Sequence, residues 1–179
     1  MILTLSNISK SFGNQPVLRG LSLKVAGGEF VAVLGSSGSG KTTLLRLIAG
    51  FDEPNSGEIT IADKVVASSK LFVPAEARKV GYVPQDAALF PHLSVFENVA
   101  FGLKGLSKAA RADRVSALLK LVSMEAFGDK SATELSGGQK HRIALARALA
   151  PEPELILLDE PFAALDAELR AKIREEMKA

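Results

Sequence analysis

Gly35-Ser36-Ser37-Gly38-Ser39-Gly40-Lys41-Thr42 is the stretch whose reading decides the fold. It satisfies the pattern G-x-x-x-x-G-K-[ST] in full. The continuous apolar run Phe30 to Leu34 precedes it and reads as a buried strand. The segment Thr42 to Ala49 follows and reads as a helix, with Gly50 as its C-terminal stop. Glycines let a loop curl until successive N–H groups point inward at an anion, and a helix start adds its positive dipole end. Lys41 would add a full positive charge between β- and γ-phosphates, and the Thr42 hydroxyl is a ligand for Mg²⁺. The plain alternative is a glycine-serine turn joining a strand to a helix. The strand-loop-helix context favours nucleotide binding over it.

Working outward, strands are expected around Leu3, Leu5 and Ile8, from Val17 to Val25, from Glu58 to Ala62 and from Lys79 to Val83. Pro54-Asn55-Ser56-Gly57 reads as a turn. Between Gln85 and Ala150 the pattern becomes helical. Ser94 with Glu97 has capping-box spacing. Ser107 can cap a helix that aligns Val115, Leu118, Leu119 and Val122 on one face. Gln139 to Ala150 is a further helix, Leu155 to Leu158 a strand, and Asp166 caps a last helix. This order predicts an α/β fold. It has a P-loop core with a mainly parallel sheet, an N-terminal antiparallel β part and an inserted helical subdomain. The expected division is residues 1–85 and 151–179 for the nucleotide-binding core and 86–150 for the helical part.

Leu155 to Leu158 ends in Asp159-Glu160. Ligands of open α/β sheets bind beyond the carboxyl ends of strands. Asp159 is therefore a candidate for the neighbourhood of Mg²⁺, and Glu160 for orienting or deprotonating the attacking water. A solvated acidic turn is the alternative, and the upstream phosphate loop weighs against it.

Composition fits this reading. Hydrophobic residues make up 47% of the 179 and charged residues 23%, as in a folded globular protein rather than a disordered one. A chain of this length can bury roughly 70% of its unfolded surface. A formal net charge of +2 is too small to imply nucleic acid as a partner. The absence of cysteine excludes disulfides, thiolate metal sites and a cysteine nucleophile. No signal peptide is visible at the N-terminus, and no stretch approaches the ~20 apolar residues of a membrane span. Any link to a membrane is expected to come through a partner.

Leu135-Ser136-Gly137-Gly138-Gln139, continued by Arg142-Ile143-Ala144-Leu145-Ala146-Arg147-Ala148-Leu149, resembles the signature motif of ABC transporter ATPases. The resemblance extends over the whole chain. It implies an ATP-hydrolysing subunit with ATP and Mg²⁺ as ligands. The residues implied to contact nucleotide are Gly35, Ser36, Ser37, Gly38, Ser39, Gly40, Lys41, Thr42 and Thr43. Ser136, Gly137, Gly138 and Gln139 would face the γ-phosphate of ATP held by a second copy, in a head-to-tail dimer. Phe12 resembles the residue that stacks on adenine, with core packing as its alternative. Gln85, in Val83-Pro84-Gln85, resembles the glutamine that touches Mg²⁺ and the attacking water, with a plain surface glutamine as the alternative. Lys41, Gln85 and Glu160 form the implied catalytic set, and Thr42, Gln85 and Asp159 the implied metal set. Ala164-Leu165-Asp166 resembles the loop that crosses the dimer interface, where Asp166 serves as contact, helix cap or both. Ala163 stands where many members have serine.

The family's switch histidine lies on a later strand, so the chain is expected to be C-terminally truncated, slow in hydrolysis and marginally stable. Neither histidine fills that role by position. His92 belongs to Phe90-Pro91-His92-Leu93, near the implied membrane partner, and His141 is expected to be exposed on the signature helix. The stretches Leu89 to Val95 and Glu97 to Leu103 look like bacterial importers. Val17-Leu18, Gly50 to Pro54 and Ile173 to Met177 favour the ferric-iron group over the polyamine, sulfate, molybdate and sugar groups. Implied partners are a second copy, membrane permease subunits contacted through Phe90 to Val99, and indirectly a solute-binding protein. The implied location is the cytoplasmic face of the membrane. Leu89, Phe90 and Leu93 are alternatively core. The rival functions are a soluble ABC ATPase of DNA maintenance or translation, and a nucleotide-binding module with little hydrolysis. A short interval without heptads between phosphate loop and signature counts against the chromosome type.

Overall fold

A computed structural model describes residues 1–160 and 167–176. The chain forms two compact units, divided between Val80 and Gly81.

The first unit is built on an antiparallel sheet of strands β1 (Leu3–Phe12), β2 (Gln15–Val25), β3 (Ser56–Ile61), β4 (Lys64–Ser68) and β5 (Leu71–Phe72). Their order is β2-β1-β3-β4-β5. Alternation explains β1: Leu3, Leu5 and Ile8 are buried, and a register shift between Leu5 and Ile8 keeps all three on one face. β3 contributes Ile59 and Ile61 to the same core, paired with Leu5 and Leu3. Burying a large aliphatic side chain contributes about 1.5–3 kcal/mol, so these few positions hold the sheet's inner face. Helix α1 (Lys41–Ala49) buries Leu44, Leu47 and Ile48, and ends at Gly50, whose left-handed backbone donates to the Arg46 carbonyl.

The turn from β3 to β4 escaped the sequence reading. It uses Ala62 and Asp63, both at positive φ (45° and 60°), where Asn-Gly would be the usual signal.

Phe30 to Leu34 corrects the expectation of a buried strand. These residues adopt no regular structure, and Phe30, Val31, Val33 and Leu34 are all exposed, Leu34 by 81%. A run apolar on both faces becomes a strand only between ladder partners. The sheet of its own unit runs from β2 to β5 and includes no place for it. The parallel pairing expected around this run is therefore not part of the first unit's sheet, whose four ladders among the described residues are antiparallel.

The second unit contains β6 (Val80–Val83, whose first residue closes the preceding unit) hydrogen-bonded beside β7 (Leu155–Leu158). Its helices are α2 (Val95–Ala100), α3 (Lys108–Leu121), α4 (Gly137–Leu149) and α5 (Ala167–Glu176). The expected caps are in place. Ser94 and Glu97 form a complete capping box on α2, and Ser107 caps α3. The Ser94 backbone amide, and next its hydroxyl, hold the Glu97 carboxyl below its ordinary range. Val115, Leu118, Leu119 and Val122 share one buried cluster with Val95, Val99, Ile143 and Leu149. Leu169 and Ile173 bring α5 into that cluster. Arg114 donates to Glu176 (2.6 Å) and to the Leu149 carbonyl at the end of α4 (3.1 Å). Among the described residues no helix is long and apolar enough to cross a membrane.

Two buried polar side chains organise these units, and neither is announced by the sequence pattern. Asn98 is fully buried; its amide oxygen accepts from the Phe90 N–H, and its nitrogen donates to the carbonyls of Phe90, Leu93 and Ser94. Arg78, 3% exposed, donates to Leu47 and Ile48 at the end of α1, and to Val66 and Val73 of the sheet region. Burial pushes its pKa down to about 10, which leaves it charged at neutral pH. A cation on the last carbonyls of a helix complements the helix dipole. Replacing Arg78 with Leu leaves those carbonyls buried without a donor. The expected destabilisation is about 3 kcal/mol or more, a fall of roughly 6–12 °C in Tm by calorimetry. Arg78→Lys restores only part, because one ammonium cannot span four acceptors in a fixed fork. A loss under ~1 kcal/mol for Arg78→Leu would refute this role.

Candidate functional site

The phosphate-loop candidates lie in the first unit. The loop turns between Ser36 and Ser39, where the Ser39 N–H donates to the Ser36 carbonyl. Lys41 folds back over it, and its Nζ donates to the carbonyls of Gly35 and Ser36, both at 2.9 Å. Gly40, at φ 92°, is the N-cap of α1. A Cβ there would stand 2.8 Å from Val17 Cγ1 and 3.2 Å from Leu18 Cδ2, so packing and backbone conformation both demand glycine.

Helix α1 differs from α2 and α4 at its start. α2 and α4 carry complete serine capping boxes. α1 has no side-chain cap and no acidic residue in its first turn, and it has the Lys41 ammonium instead. Its first turn thus supplies no acidic side chain and no side-chain cap of its own at the end where the dipole is positive. The donors gathered here, an ammonium, serine and threonine hydroxyls and glycine amides, suit a polyphosphate. Thr42 is exposed and Thr43 half-buried at this same helix start. Phe12 ends β1 with 52% of its surface exposed and Lys10 Nζ 5.2 Å from its ring centre, so it is not core.

The remaining described candidates lie in the second unit. Gln85, just beyond β6, donates from Nε2 to Glu160 Oε2 at 2.6 Å. Glu160 follows β7 in a left-handed conformation, φ 51°, which is uncommon for a residue with a Cβ and is often found where function needs it. Asp159, beside it, is only 6% exposed, its N–H donates to the Val83 carbonyl, and Oδ2 accepts from the Tyr82 hydroxyl at 3.3 Å. A buried carboxylate thus stands next to an exposed one at a single strand tip. Tyr82 was not singled out by the sequence, since one tyrosine in a short strand reads as packing.

Ser136 is the N-cap of α4. Its Oγ accepts from the Gln139 N–H, and Gln139 Oε1 accepts from the Ser136 N–H. Each side chain is therefore engaged by the other residue's backbone N–H. Gly137 and Gly138 show neither positive φ nor any atom within 4 Å of an added Cβ. Nothing within the described residues requires glycine there. Asp166 and the Ala163–Leu165 stretch lie outside the described residues.

His141 corrects an expectation. It is half-buried rather than exposed, and both ring nitrogens are engaged: Nδ1 with the Gly137 carbonyl (2.9 Å) and Nε2 with the Gln85 carbonyl (2.7 Å). His92 is exposed near the Phe90 ring. Leu89 packs on the core cluster, Phe90 is half-buried, and Phe101 stacks on it at 4.4 Å.

The ABC transporter family profile matches residues 18–163. The chain belongs to the ABC transporter family. It is 53% identical over 175 residues to the Fe(3+) ions import ATP-binding protein FbpC 2 of Pectobacterium atrosepticum, covering 97% of this chain and 50% of that protein. It is 51% identical over 182 residues to the spermidine/putrescine import ATP-binding protein PotA of Spiroplasma citri, covering 99% of this chain and 50% of the relative. Among solved structures, the dimeric post-hydrolysis ATP-binding cassette MJ0796 bound to ADP and Pi superposes with a TM-score of 0.81 at 35% identity, covering 98% of this chain and 81% of that one. The chain thus spans about half the length of the curated relatives it matches.

Proposed function

We propose that this chain is the ATP-binding and ATP-hydrolysing part of an importer's energy-coupling subunit, with ferric iron as the cargo of the whole transporter. One observation carries the ATP reading: the uncapped, acid-free start of α1, with Lys41 folded over a glycine-rich loop. Gly35 to Thr43 would hold the phosphates, and Phe12 would stack on the base. Thr42, Gln85 and Asp159 would hold Mg²⁺, whose bound charge lowers the cost of negative charge building on the transferred phosphoryl group. Glu160 would orient the attacking water and accept its proton, with Gln85 fixing the carboxylate from one side. Ser136, Gly137 and Gly138 would complete the site of a second copy, which accounts for glycines that the chain itself does not need. The FbpC relative supports ferric iron, and the PotA relative at similar identity makes polyamine import the second reading.

The test is reconstitution with the cognate permease and its solute-binding protein in lipid vesicles. Turnover of Mg·ATP is expected to rise at least several-fold when the binding protein is loaded with ferric iron, and to stay at baseline with spermidine. Stimulation by spermidine alone moves the assignment to polyamine import. Failure to bind Mg·ATP at millimolar concentration would overturn the ATPase reading itself.

A further inference from the structure

The four residues after Gln85 are an unusual length of chain. Ala87 and Ala88 both have positive φ (61° and 40°), a conformation that alanine adopts only when its surroundings impose it. The surroundings here are side chains of α4. Arg147 donates to the carbonyls of Ala88 (2.9 Å) and Ala87 (3.2 Å), and its guanidinium lies 5.2 Å from the Phe90 ring centre. One and a half turns earlier on the same helix, His141 reaches the carbonyl of Gln85 itself at 2.7 Å, the shortest of these contacts. Its other nitrogen is anchored on Gly137, in the first turn of α4. Carbonyl oxygens only accept, so each contact uses a ring N–H; a cationic ring supplies both, a neutral ring one.

We infer that His141 is a positioning residue for hydrolysis: it ties the Gln85 main chain to the first turn of α4, and so sets where the Gln85 amide meets Glu160. The inference rests on the proposed roles of Gln85 and Glu160. Gln85 Nε2 and Glu160 Oε2 meet at 2.6 Å although both residues are exposed. A mobile glutamine would hold that geometry only part of the time. Fixing its carbonyl removes the main-chain freedom that would otherwise spread the amide over many positions. The anchor is also the helix that begins at Ser136-Gly137-Gly138. A displacement of that helix start would be transmitted through one ring to Gln85.

The test compares His141→Leu and His141→Gln with the parent chain. Leu removes the donor, whereas Gln keeps an N–H₂ group able to reach the Gln85 carbonyl. In the ligand-free protein, hydrogen-deuterium exchange of residues 85–89 is expected to rise at least fivefold in His141→Leu, with the α4 amides unchanged, and to return towards parent values in His141→Gln. With Mg·ATP, kcat is expected to fall about tenfold in His141→Leu while KM stays within twofold, with His141→Gln recovering most of the loss. Unchanged exchange at 85–89, or loss spread equally over kcat and KM, overturns the inference. Glu160→Gln run in parallel separates the two levels: if that variant hydrolyses ATP normally, the site assignment fails, whereas normal His141→Leu turnover beside a dead Glu160→Gln sinks only the role of the histidine.

Discussion

Glu160→Gln is expected to lower ATP turnover by about 10²- to 10⁴-fold while leaving Mg·ATP affinity within a few-fold, measured by single-turnover hydrolysis and equilibrium binding. The geometry separates the two effects. Glu160 is exposed at the tip of β7 and is engaged by Gln85 through Oε2. An amide oxygen at that position can still accept from Gln85 Nε2, so the local arrangement survives. What disappears is a carboxylate able to take a proton from water. Asp159 is not a substitute, because it is buried and its Oδ2 accepts from the Tyr82 hydroxyl. Turnover within threefold of the parent would remove Glu160 from the reaction.

The second large effect is expected at the other unit. Lys41→Ala should weaken Mg·ATP binding by roughly 100-fold, equivalent to about 3 kcal/mol, which is the range of charge-assisted hydrogen bonds to phosphate. Thermal stability should hardly change. The ammonium's protein partners are two carbonyls of an exposed loop, and water replaces the donor at little cost. Lys41→Arg should fail to restore affinity, since a planar fork does not fit where a compact ammonium sits against Gly35 and Ser36. Unchanged nucleotide affinity in Lys41→Ala, measured by fluorescence titration, would place the phosphates elsewhere.

Local signals made much of this architecture readable. Gly40-Lys41, the Ser94/Glu97 pair, Ser107 and Ser136 each state their function within four residues, and helix starts form where they predict. The face Val115, Leu118, Leu119 and Val122 is equally explicit because its spacing is that of a helix. What stayed hidden depends on contacts between residues far apart in the chain. Arg78 binds carbonyls up to 31 positions away, and His141 reaches back 56 positions to Gln85. No periodicity carries that information. Phe30 to Leu34 misled for a related reason: hydrophobicity says that a segment wants cover, not which strand supplies it.

The packing of Arg78 has an evolutionary corollary. A Cβ on Gly50 would lie 2.5 Å from Arg78 Nε and 2.8 Å from Cζ. The helix stop and the guanidinium therefore occupy adjoining volume, and a side chain at one position evicts the other. Positions 50 and 78 should therefore couple: a shorter residue at 78 relieves the clash with alanine at Gly50, while the positive φ of 89° and the Ala75 backbone nitrogen, 3.0 Å from an added Cβ, keep glycine favoured there in either background.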